Sequence, residues 1–383
     1  MYSVIIVISY MFYFVKYSYS PNTAPTNRAM AIIRALSELG MPTKVVFFAP
    51  DKKHNRVEET MPNIEFVYLW DKGYIDIPRL NRVSTRLYLR RFVRSLQSGD
   101  KVYVYTFPEL TVALSKRDDV SVYVERTEHD EVSFHCYVKQ VKILDYLAAC
   151  RRISGMIVIS QGLKQYYLEN DCHPDHVHIV NMVVDTKRFN NLQKQLSEPY
   201  IAYCGTASNN KDGVDQLIKA FALVVKHHPK YKLYIIGSTP SKKQRFGNFE
   251  LVKELEIEKN VVFTGVIPAT QMPQMLKNAS ILALDRPDNL QAKYGFPTKL
   301  GEYLMTGNPV VVTKVGDISL FLKDGESALI AAPGDTNDFA DKLNWVIENP
   351  DKAKNIGENG KKIAEQSFNY LTETKKIINL INK

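Results

Sequence analysis

The sequence predicts an α/β protein with two doubly wound parallel sheets. Apolar, β-rich runs alternate with helical patterns along all 383 residues, which is typical of parallel strands covered by helices on both faces. The alternation forms two series, and the weakest patterning between them is the stretch RFNNLQKQLSEPY. A chain of this length is expected to form two or three domains. We therefore place a domain boundary near residues 190–198.

The bulk composition is that of an ordinary globular protein, with 45% hydrophobic and 24% charged residues. A net charge of +9 favours anionic partners, namely nucleotides, phospholipid surfaces or nucleic acid, without choosing among them. The four cysteines have neither metal-ligand nor redox spacing, which fits a reducing compartment, so we expect a cytoplasmic protein. They are Cys136, Cys150, Cys172 and Cys204.

The N-terminal stretch MYSVIIVISYMFYFVKYSYS superficially resembles a signal peptide. It lacks a basic leading segment and an A-x-A cleavage site, and its apolar run stops at Lys16, too early to span a bilayer. We predict instead a first strand at about Val4 to Ser9, followed by an aromatic-rich loop.

The remaining strands follow in order, and helical patterns separate them. In the first half they are TKVVFFA, IEFVYLW, KVYVYTF, SVYVE, MIVIS and VHIVN; in the second they are YIAYCG, KLYIIGS, VVFTG, SILALD, NPVVVT and ALIAA. The helical patterns include NRAMAIIRALSEL, CYVKQVKILDYLAACRRI and GVDQLIKAFALVVKHH. Doubly wound folds bind ligands at the carboxyl ends of their strands, so the strand-to-helix loops are the candidate sites. With two such domains, the natural place for a ligand is a cleft between them.

The first candidate loop lies within YIAYCGTASNNKDGVDQLIKAF, residues 200–221. We predict a helix start near Gly213, where free N–H groups and the Lys211 ammonium would suit a diphosphate. The alternative is a solvated lysine that Asp212 partly neutralises. Neither a P-loop nor G-x-G-x-x-G spacing is present, which argues against a dinucleotide oxidoreductase.

The second candidate loop is YGFPTKLGEYLMTGNPVVVT, residues 294–313. If Thr298 is a helix N-cap, its reciprocal capping partner would be Gly301, so capping does not explain Glu302. In the first helical turn, Glu302 could accept hydrogen bonds from the vicinal hydroxyls of a ribose. Backbone amides of residues 296–299 could face the same anion. The alternative is a glutamate that the helix N-terminus stabilises.

Together these motifs resemble glycosyltransferase family 4, the retaining sugar-nucleotide-dependent enzymes of the GT-B fold. The likeness rests on Y-x-G followed by K-D-G-V-D-x-L-I-x-A-F, on L-x-I-x-G and V-x-F-x-G, and on G-F-P-T-K-L-x-E-Y-L-x-x-G-x-P-V-V. It implies two Rossmann-like domains facing each other across a cleft: an acceptor-side domain over 1–190 and a donor-binding domain over 191–360. A closing helix over 361–383 would pack back toward the first domain. The family needs neither metal nor cofactor, and the sequence contains no D-x-D.

The resemblance assigns roles to matching positions. Lys211 corresponds to the lysine that neutralises the leaving diphosphate, and Glu302 to the glutamate that holds the ribose. Two positions depart from the family: Tyr294 replaces a glutamate, which leaves recognition of the donor sugar open, and Thr206 replaces an arginine, so another group must supply a cation. The expected donor contacts are Gly205, Thr206, Gly213, Gly237, Tyr294, Gly295, Phe296, Pro297, Thr298, Lys299 and Glu302.

Two loops of the first half are further candidates. In YSPNTAPTNRAMAIIRAL an acceptor-side site would use Thr23, Thr26, Asn27 and Arg28, and the alternative is helix capping by Thr23 or Asn22. In VERTEHDEVSFH the family likeness implies a histidine contacting a donor hydroxyl. His129 is the candidate and Glu128 the second choice, against the alternative of a charged solvated loop. No histidine or cysteine spacing favours a metal site.

The helix RLNRVSTRLYLRRFVRS gathers its arginines on one face, opposite Tyr88, Phe92 and Leu96. Such a face suits anionic lipid headgroups or a lipid-diphosphate acceptor, and the alternative is a solvated basic face over a packed apolar one. The five arginines of this face, among six in the segment, are Arg79, Arg82, Arg86, Arg90 and Arg94.

The predicted function is a hexosyl-type glycosyltransferase in cell-surface polysaccharide or lipid-linked glycan assembly, with possible peripheral membrane contact. One alternative keeps the GT-B fold but makes it a sugar-nucleotide epimerase or hydrolase. The other is a basic surface-binding module with a degenerate site. No nucleic-acid-binding motif is present, so we expect no nucleic-acid partner.

Overall fold

The computed structural model describes residues 10–21, 23–50, 53, 55–70, 78–195, 198–239 and 241–383. The chain divides into two compact units, one of Met1–Asn181 with Leu371–Lys383 and one of Met182–Tyr370. These limits differ from the sequence-based boundaries at 190 and 360. Val184 N donates to Phe368 O over 2.8 Å, which joins the two ends of the second unit. The second unit therefore begins before residue 190 and continues past residue 360.

Within the described residues, the first unit has a seven-stranded parallel sheet. Its strands are β1 (Phe12–Lys16), β2 (Thr43–Phe47), β3 (Ile64–Tyr68), β4 (Lys101–Tyr105), β5 (Ser121–Arg126), β6 (Gly155–Val158) and β7 (Val177–Ile179). Its helices are α1 (Ala24–Glu38), α2 (Pro78–Ser95), α3 (Pro108–Leu114), α4 (Asp130–Ser133), α5 (Ile143–Cys150) and α6 (Gln161–Glu169), with a 3₁₀ turn at Pro174–His176.

The second unit begins with a 3₁₀ turn, Thr186–Phe189, and contains a six-stranded parallel sheet in its described part. The strands are β8 (Tyr200–Cys204), β9 (Lys232–Ile236), β10 (Val261–Gly265), β11 (Ile281–Leu284), β12 (Val310–Thr313) and β13 (Leu329–Ala331). The helices are α7 (Asn209–Asp212), α8 (Val214–His227), α9 (Lys242–Glu254), α10 (Met272–Asn278), α11 (Leu290–Tyr294), α12 (Thr298–Met305), α13 (Ile318–Phe321), α14 (Thr336–Glu348) and α15 (Pro350–Ser367). The closing helix α16 (Tyr370–Ile381) follows and, from Leu371 on, belongs to the first unit.

Both sheets have the same doubly wound order. The first runs β3-β2-β1-β4-β5-β6-β7 and the second β10-β9-β8-β11-β12-β13, so the winding reverses between β1 and β4 and between β8 and β11. In open parallel sheets, ligands bind at the carboxyl ends of the strands at this reversal. The fold therefore directs attention to the loops after β8 and β11, and to those after β1 and β4.

Two elements of the first unit differ from their sequence-based assignments. The strand predicted at Val4 to Ser9 lies outside the described residues, and the expected aromatic loop is in fact β1. The aromatic residues of FYFVK form a strand because Phe12 and Phe14 are buried in the sheet. The helix predicted over 136–153 shortens to α5, because the preceding segment is held in an irregular form by Glu109, whose carboxylate accepts from Val138 N over 2.5 Å.

Burial follows the expected pattern of parallel sheets. Every residue of β8 and of β12 is buried, as the apolar runs YIAYC and VVVT predict for strands covered on both faces. The four cysteines are free thiols. Among the described helices, none combines the length and the apolar character needed to span a bilayer.

Candidate functional site at the carboxyl edge of the second sheet

Glycines form the turns that end β8 and β9. Gly205 and Gly237 have φ of 142° and 130°, which L side chains rarely adopt. A Cβ on Gly237 would collide with the carbonyl oxygen of Gly205, while Gly205 N donates to Ile236 O over 2.8 Å. The two loops therefore pack backbone against backbone, which only glycine allows.

The Lys211–Gly213 turn rests on the end of β11. Gly213 is left-handed with φ of 57°, and a Cβ there would overlap the carbonyl oxygen of Asp285. Lys211 is half-buried in the short helix α7, which Ser208 caps by accepting from Lys211 N at 3.2 Å. The predicted helix start near Gly213 is confirmed, because Gly213 is the N-cap of α8, and Lys211 lies just before it in α7. The turn lies at the reversal of the sheet.

A buried charge cluster lies beneath this turn, centred on Asp212, which is 1% exposed. Its carboxylate accepts from Lys299 Nζ at 2.5 Å and from the Tyr203 hydroxyl at 2.7 Å, and Arg286 Nε lies 3.7 Å away. Burial alone would raise the pKa of Asp212, but Lys299, Tyr203 and Arg286 together lower it. Asp212 thus pairs with Lys299, and the cluster of two cations and one carboxylate keeps a positive charge.

Lys299 brings a cation directly to the first glycine turn. A Cβ on Gly205 would collide with Lys299 Nζ, so the ammonium packs against this glycine. The next residue, Thr206, is exposed, and its carbonyl oxygen lies 2.7 Å from the Tyr203 hydroxyl oxygen. Thr206 is the position at which the resembling family has an arginine. Lys299 therefore supplies a cation next to this position.

The turn that leads into α12 differs in detail from its prediction. Pro297 is the N-cap and Thr298 the first helical residue, so the assignment of Thr298 as N-cap is wrong, because Thr298 already has helical backbone angles. The Phe296 ring is 7% exposed and packs on Phe321 and Phe368 at centroid distances of 5.5 and 5.3 Å. Its side chain belongs to the core, which leaves only its backbone to face a ligand.

Glu302 lies beyond the first turn of α12 and forms an ion pair with Arg188. Arg188 Nη1 is 2.5 Å from Glu302 Oε1, and Arg188 Nη2 also donates to Ala269 O at 3.3 Å. The two side chains remain 27% and 20% exposed. The residue before Glu302 is Gly301, and a Cβ at this position would collide with the Met182 side chain. Arg188 was not predicted, since 114 residues separate it from Glu302.

Asp285 is a second site residue that the sequence did not reveal. It ends β11 next to Gly213 and is 4% exposed. Burial, with a smaller contribution from Asp215, raises the pKa of Asp285 to about 7. This carboxyl group therefore exchanges a proton near neutral pH, and the DRP stretch after a strand was its only signal in the sequence.

In the first unit, Arg28 is a structural residue rather than an open acceptor contact. It is 2% exposed, its guanidinium pairs with Glu125, and it donates to the carbonyls of Asn181 at 2.7 Å and Val180 at 3.2 Å. Tyr103 also donates to Glu125. These partners occupy the groups that an acceptor would need.

The other candidates of that loop surround the start of α1. Thr23 is the N-cap, but its hydroxyl donates to Ser20 O at 3.0 Å and lies 3.0 Å from the Thr26 hydroxyl, instead of capping the helix. Thr26 is buried, whereas Thr23 and Asn27 are exposed. The alternative cap, Asn22, lies outside the described residues.

His129 serves as a helix cap rather than as an open donor contact. It is the N-cap of α4, and its Nδ1 accepts from Glu131 N at 3.2 Å. The imidazole is 4% exposed, its centroid is 4.2 Å from that of Tyr166, and burial lowers its pKa. Glu128, the second choice, is half-buried beside it. Across the described residues no group of three His, Cys, Asp or Glu side chains could hold a metal ion.

The arginine-rich helix α2 has the two faces that its sequence indicates. Arg82, Arg86, Arg90 and Arg94 are exposed, and Phe92 and Leu96 are buried. Val83 and Leu87, between the arginines, are 56% and 53% exposed. The Arg79 side chain lies outside the described part of the chain.

Comparisons with known proteins agree with this architecture. Residues 184–363 match the family model described as glycosyl transferases group 1. The chain is 24% identical over 203 residues to a D-inositol 3-phosphate glycosyltransferase of Corynebacterium aurimucosum, covering 49% of this chain and 47% of that protein. It is 24% identical over 225 residues to an MMP alpha-(1->4)-mannosyltransferase of Mycolicibacterium hassiacum, covering 57% and 52%. The aligned part spans about half the length of these relatives.

Solved structures match over nearly the full chain. The Anabaena protein HepE in complex with UDP superposes with a TM-score of 0.72 at 17% identity, covering 97% of this chain and 99% of that one. Sucrose-phosphate synthase from Thermosynechococcus elongatus gives a TM-score of 0.76 at 16% identity, covering 97% and 98%. The chain therefore has the GT-B fold, and its residues 184–363 match the group 1 glycosyl transferases.

Proposed function

We propose that the chain is a retaining, metal-independent glycosyltransferase similar to family 4, which moves a sugar from a nucleoside-diphosphate sugar to an acceptor hydroxyl. The observation that carries this proposal is the glycine-built edge of the second sheet, with Lys211, Lys299 and Arg286 around it. The names of the relatives and the UDP-glucose complex of HepE support a nucleotide-sugar donor.

The cations would act on the departing diphosphate. When the bond between the anomeric carbon and the diphosphate oxygen breaks, negative charge grows on that oxygen, and pre-positioned cations stabilise it. Lys211 is the first such group. Lys299, packed against Gly205, is our candidate for the cation that Thr206 does not supply. Because Arg286 also lies beside Asp212, pairing with that carboxylate does not cancel the positive charge.

Glu302 would orient the nucleotide by accepting hydrogen bonds from the ribose hydroxyls. The ion pair with Arg188 fixes one carboxylate oxygen, Oε1, and leaves the side chain 20% exposed. A carboxylate has lone pairs enough to serve both partners. In this proposal Arg188 is a positioning residue, because it touches Glu302 rather than the substrate.

The exposed face of α2 supports an acceptor presented at a membrane. Four exposed arginines flank exposed Val83 and Leu87, the pattern of a helix that lies in an anionic lipid interface. We therefore include peripheral contact with the cytoplasmic face of an anionic membrane, and a lipid-linked or cell-surface glycan acceptor.

Turnover of a panel of nucleotide sugars tests the proposal. We expect Lys211→Ala to lower kcat by about 100-fold or more, since one stabilising group for the transition-state charge is lost. The control Lys226→Ala changes an exposed lysine on α8 and should keep full activity. Glu302→Ala should mainly raise the donor KM. Unchanged turnover in both site variants would refute the site.

The acceptor requirement separates this reading from its alternatives. An epimerase or hydrolase would consume the nucleotide sugar without an acceptor, whereas a transferase should release little nucleoside diphosphate until one is added. A surface-binding module would bind no nucleotide sugar, so no member of the same panel would raise its melting temperature.

A further inference from the structure

A polar cavity of about 350 Å³ lies at the amino-terminal edge of the second sheet. Its walls are the chain from Phe189 to Gln193, the ends of α10 and α12 at Lys277 and Thr306, and Lys361 on α15. Helices α10 and α12 lead directly into β11 and β12, so the cavity lies at the opposite end of these strands from Asp285. It is separate from the proposed donor site.

Lys277 and Lys361 line this cavity, and Lys194 lies beside it. Lys277 Nζ donates to Thr306 O at 2.7 Å, and the neighbouring Lys194 Nζ donates to Ala279 O at 3.2 Å. Within the described residues, neither ammonium forms an ion pair. Lys361 reaches Glu365 only at 4.0 Å, with both side chains more than a third exposed, so this pair is weak.

The lysines also repel one another. Burial lowers the pKa of Lys277, Glu358 opposes this, and Lys361 adds a smaller lowering. Burial and Lys277 likewise lower the pKa of Lys194. Hydrogen bonds to carbonyl oxygens at helix ends account for the positions of Lys277 and Lys194. They do not account for the position of Lys361. An anion in the cavity would stabilise the charged form of these partly buried ammonium groups.

Amide side chains complete the lining and stand on a fixed wall. Asn190, Asn191 and Gln193 are exposed, and their side chains make no hydrogen bond to another described residue. The wall itself is pinned, because Gln274 Nε2 donates to Gln193 O at 2.9 Å and Gln195 N donates to Asn278 Oδ1 at 3.0 Å. Amides both donate and accept hydrogen bonds, which suits hydroxyl groups.

We propose that this cavity is a second ligand site, which binds a small phosphate ester carrying hydroxyl groups, such as a sugar phosphate. Lys277 and Lys361 contact the phosphate as point charges, and the amides of Asn190, Asn191 and Gln193 contact the hydroxyls. The volume falls within the range of small-molecule sites. Its occupant does not compete with the nucleotide-sugar donor, and the proposal does not depend on the chain being a transferase.

Calorimetric titration of the full chain with glucose 6-phosphate tests the site. Lys361→Met should weaken binding about tenfold, because one charge-assisted contact is lost. The control Lys354→Met changes an exposed lysine of the same helix outside the cavity and should bind as the wild type does. Lys277→Met should also weaken binding, but it removes the bond to Thr306, so Lys361→Met is the decisive variant.

Further titrations separate the sources of binding. Glucose should bind at least about tenfold more weakly than glucose 6-phosphate if the lysines recognise the phosphate. Saturating UDP should leave the affinity for glucose 6-phosphate unchanged. No binding by the wild type, equal binding by Lys361→Met and Lys354→Met, equal affinity for glucose, or displacement by UDP would each overturn the proposal.

Discussion

The two sheets share one winding order but differ in what stands at their carboxyl edges. In the second unit the edge is made of glycine turns at Gly205, Gly213 and Gly237, whose backbones pack against neighbouring carbonyls. In the first unit the corresponding region holds buried ion pairs of side chains, Arg28 with Glu125 and Arg126 with Asp130. The same topology therefore supports an edge of close-packed backbone turns over the Asp212 charge cluster, and an edge built from one-to-one ion pairs.

This difference suits a division of labour. Close-packed glycine turns with cations beneath them present N–H groups and positive charge to an anion, as a diphosphate requires. The paired side chains of the first unit, by contrast, hold its strands and loops in place and offer no free charge to a ligand. Under the proposed function, acceptor recognition would depend on exposed groups such as Thr23 and Asn27 rather than on the buried Arg28.

The largest expected effect comes from breaking a buried pair of the first unit. Arg28→Met leaves the Glu125 carboxylate buried without its cation, so we expect a loss of about 3–5 kcal/mol of unfolding free energy. Arg34→Met is the matched control, because Arg34 pairs with Glu59 at the surface, where the Arg34 side chain is 31% exposed and that of Glu59 45%. That change should lose less than about 1 kcal/mol. Denaturant unfolding measures both, and equal losses would show that the Arg28 pair is not a structural element.

The next effect tests the glycine edge of the second unit. Gly213→Ala forces a side chain into a left-handed residue and against Asp285 O, so we expect a loss of about 3 kcal/mol and weakened UDP binding. Gly334→Ala is the control, since Gly334 has φ of 78° but no atom within 4 Å of a Cβ. It should lose about 1 kcal/mol. If both variants behaved alike, close backbone approach would not define this edge.

A third effect separates two aspartates of the same edge by pH. Because the pKa of Asp285 is raised to about 7, the folded protein binds this proton more tightly than the unfolded chain does. Stability from this group is therefore lost as pH rises from about 4 to about 7. Asp285→Asn should remove that slope and raise the unfolding free energy near pH 8 by about 1–3 kcal/mol.

Asp212 provides the opposite slope and so serves as the control. Its pKa is lowered, mainly by Lys299 against the effect of burial, so its contribution is present above the ordinary aspartate pKa and is lost as pH falls. Asp212→Asn should therefore destabilise the protein near pH 8, where Asp285→Asn stabilises it. Urea unfolding at about pH 3, about pH 5 and about pH 8 compares the variants. Asp212→Asn should remove the loss of stability on the acid side of the ordinary aspartate pKa, and Asp285→Asn the loss between about pH 4 and about pH 7. The reverse pattern would contradict the assignment.

The sequence predicted the backbone-built edge better than the paired one, for a physical reason. Glycines after strands and the KDG and GFPTK stretches are local signals, and they located the turns around Gly205 and Gly213. Two of the ion pairs join residues far apart, Arg28 and Glu125 of the first unit by 97 positions and Asp212 and Lys299 of the second by 87, and only tertiary packing selects such partners. The aromatic FYFVK run was likewise misassigned, because burial rather than composition makes it a strand.

The smallest effect on stability, but a functional one, concerns α2. Arg86→Gln with Arg90→Gln changes exposed residues, so the unfolding free energy should stay within about 0.5 kcal/mol of the wild type. Each arginine near an anionic bilayer contributes about 1 kcal/mol, so binding to phosphatidylglycerol vesicles should weaken roughly tenfold or more. Lys226→Gln with Lys230→Gln removes two exposed charges from the second unit and should leave sedimentation with vesicles unchanged. Equal weakening in both double variants would assign the attraction to net charge alone and remove α2 as the membrane-facing surface. Val83→Ser with Leu87→Ser adds a further test, because loss of apolar insertion should weaken binding even at high salt, where charge attraction is screened.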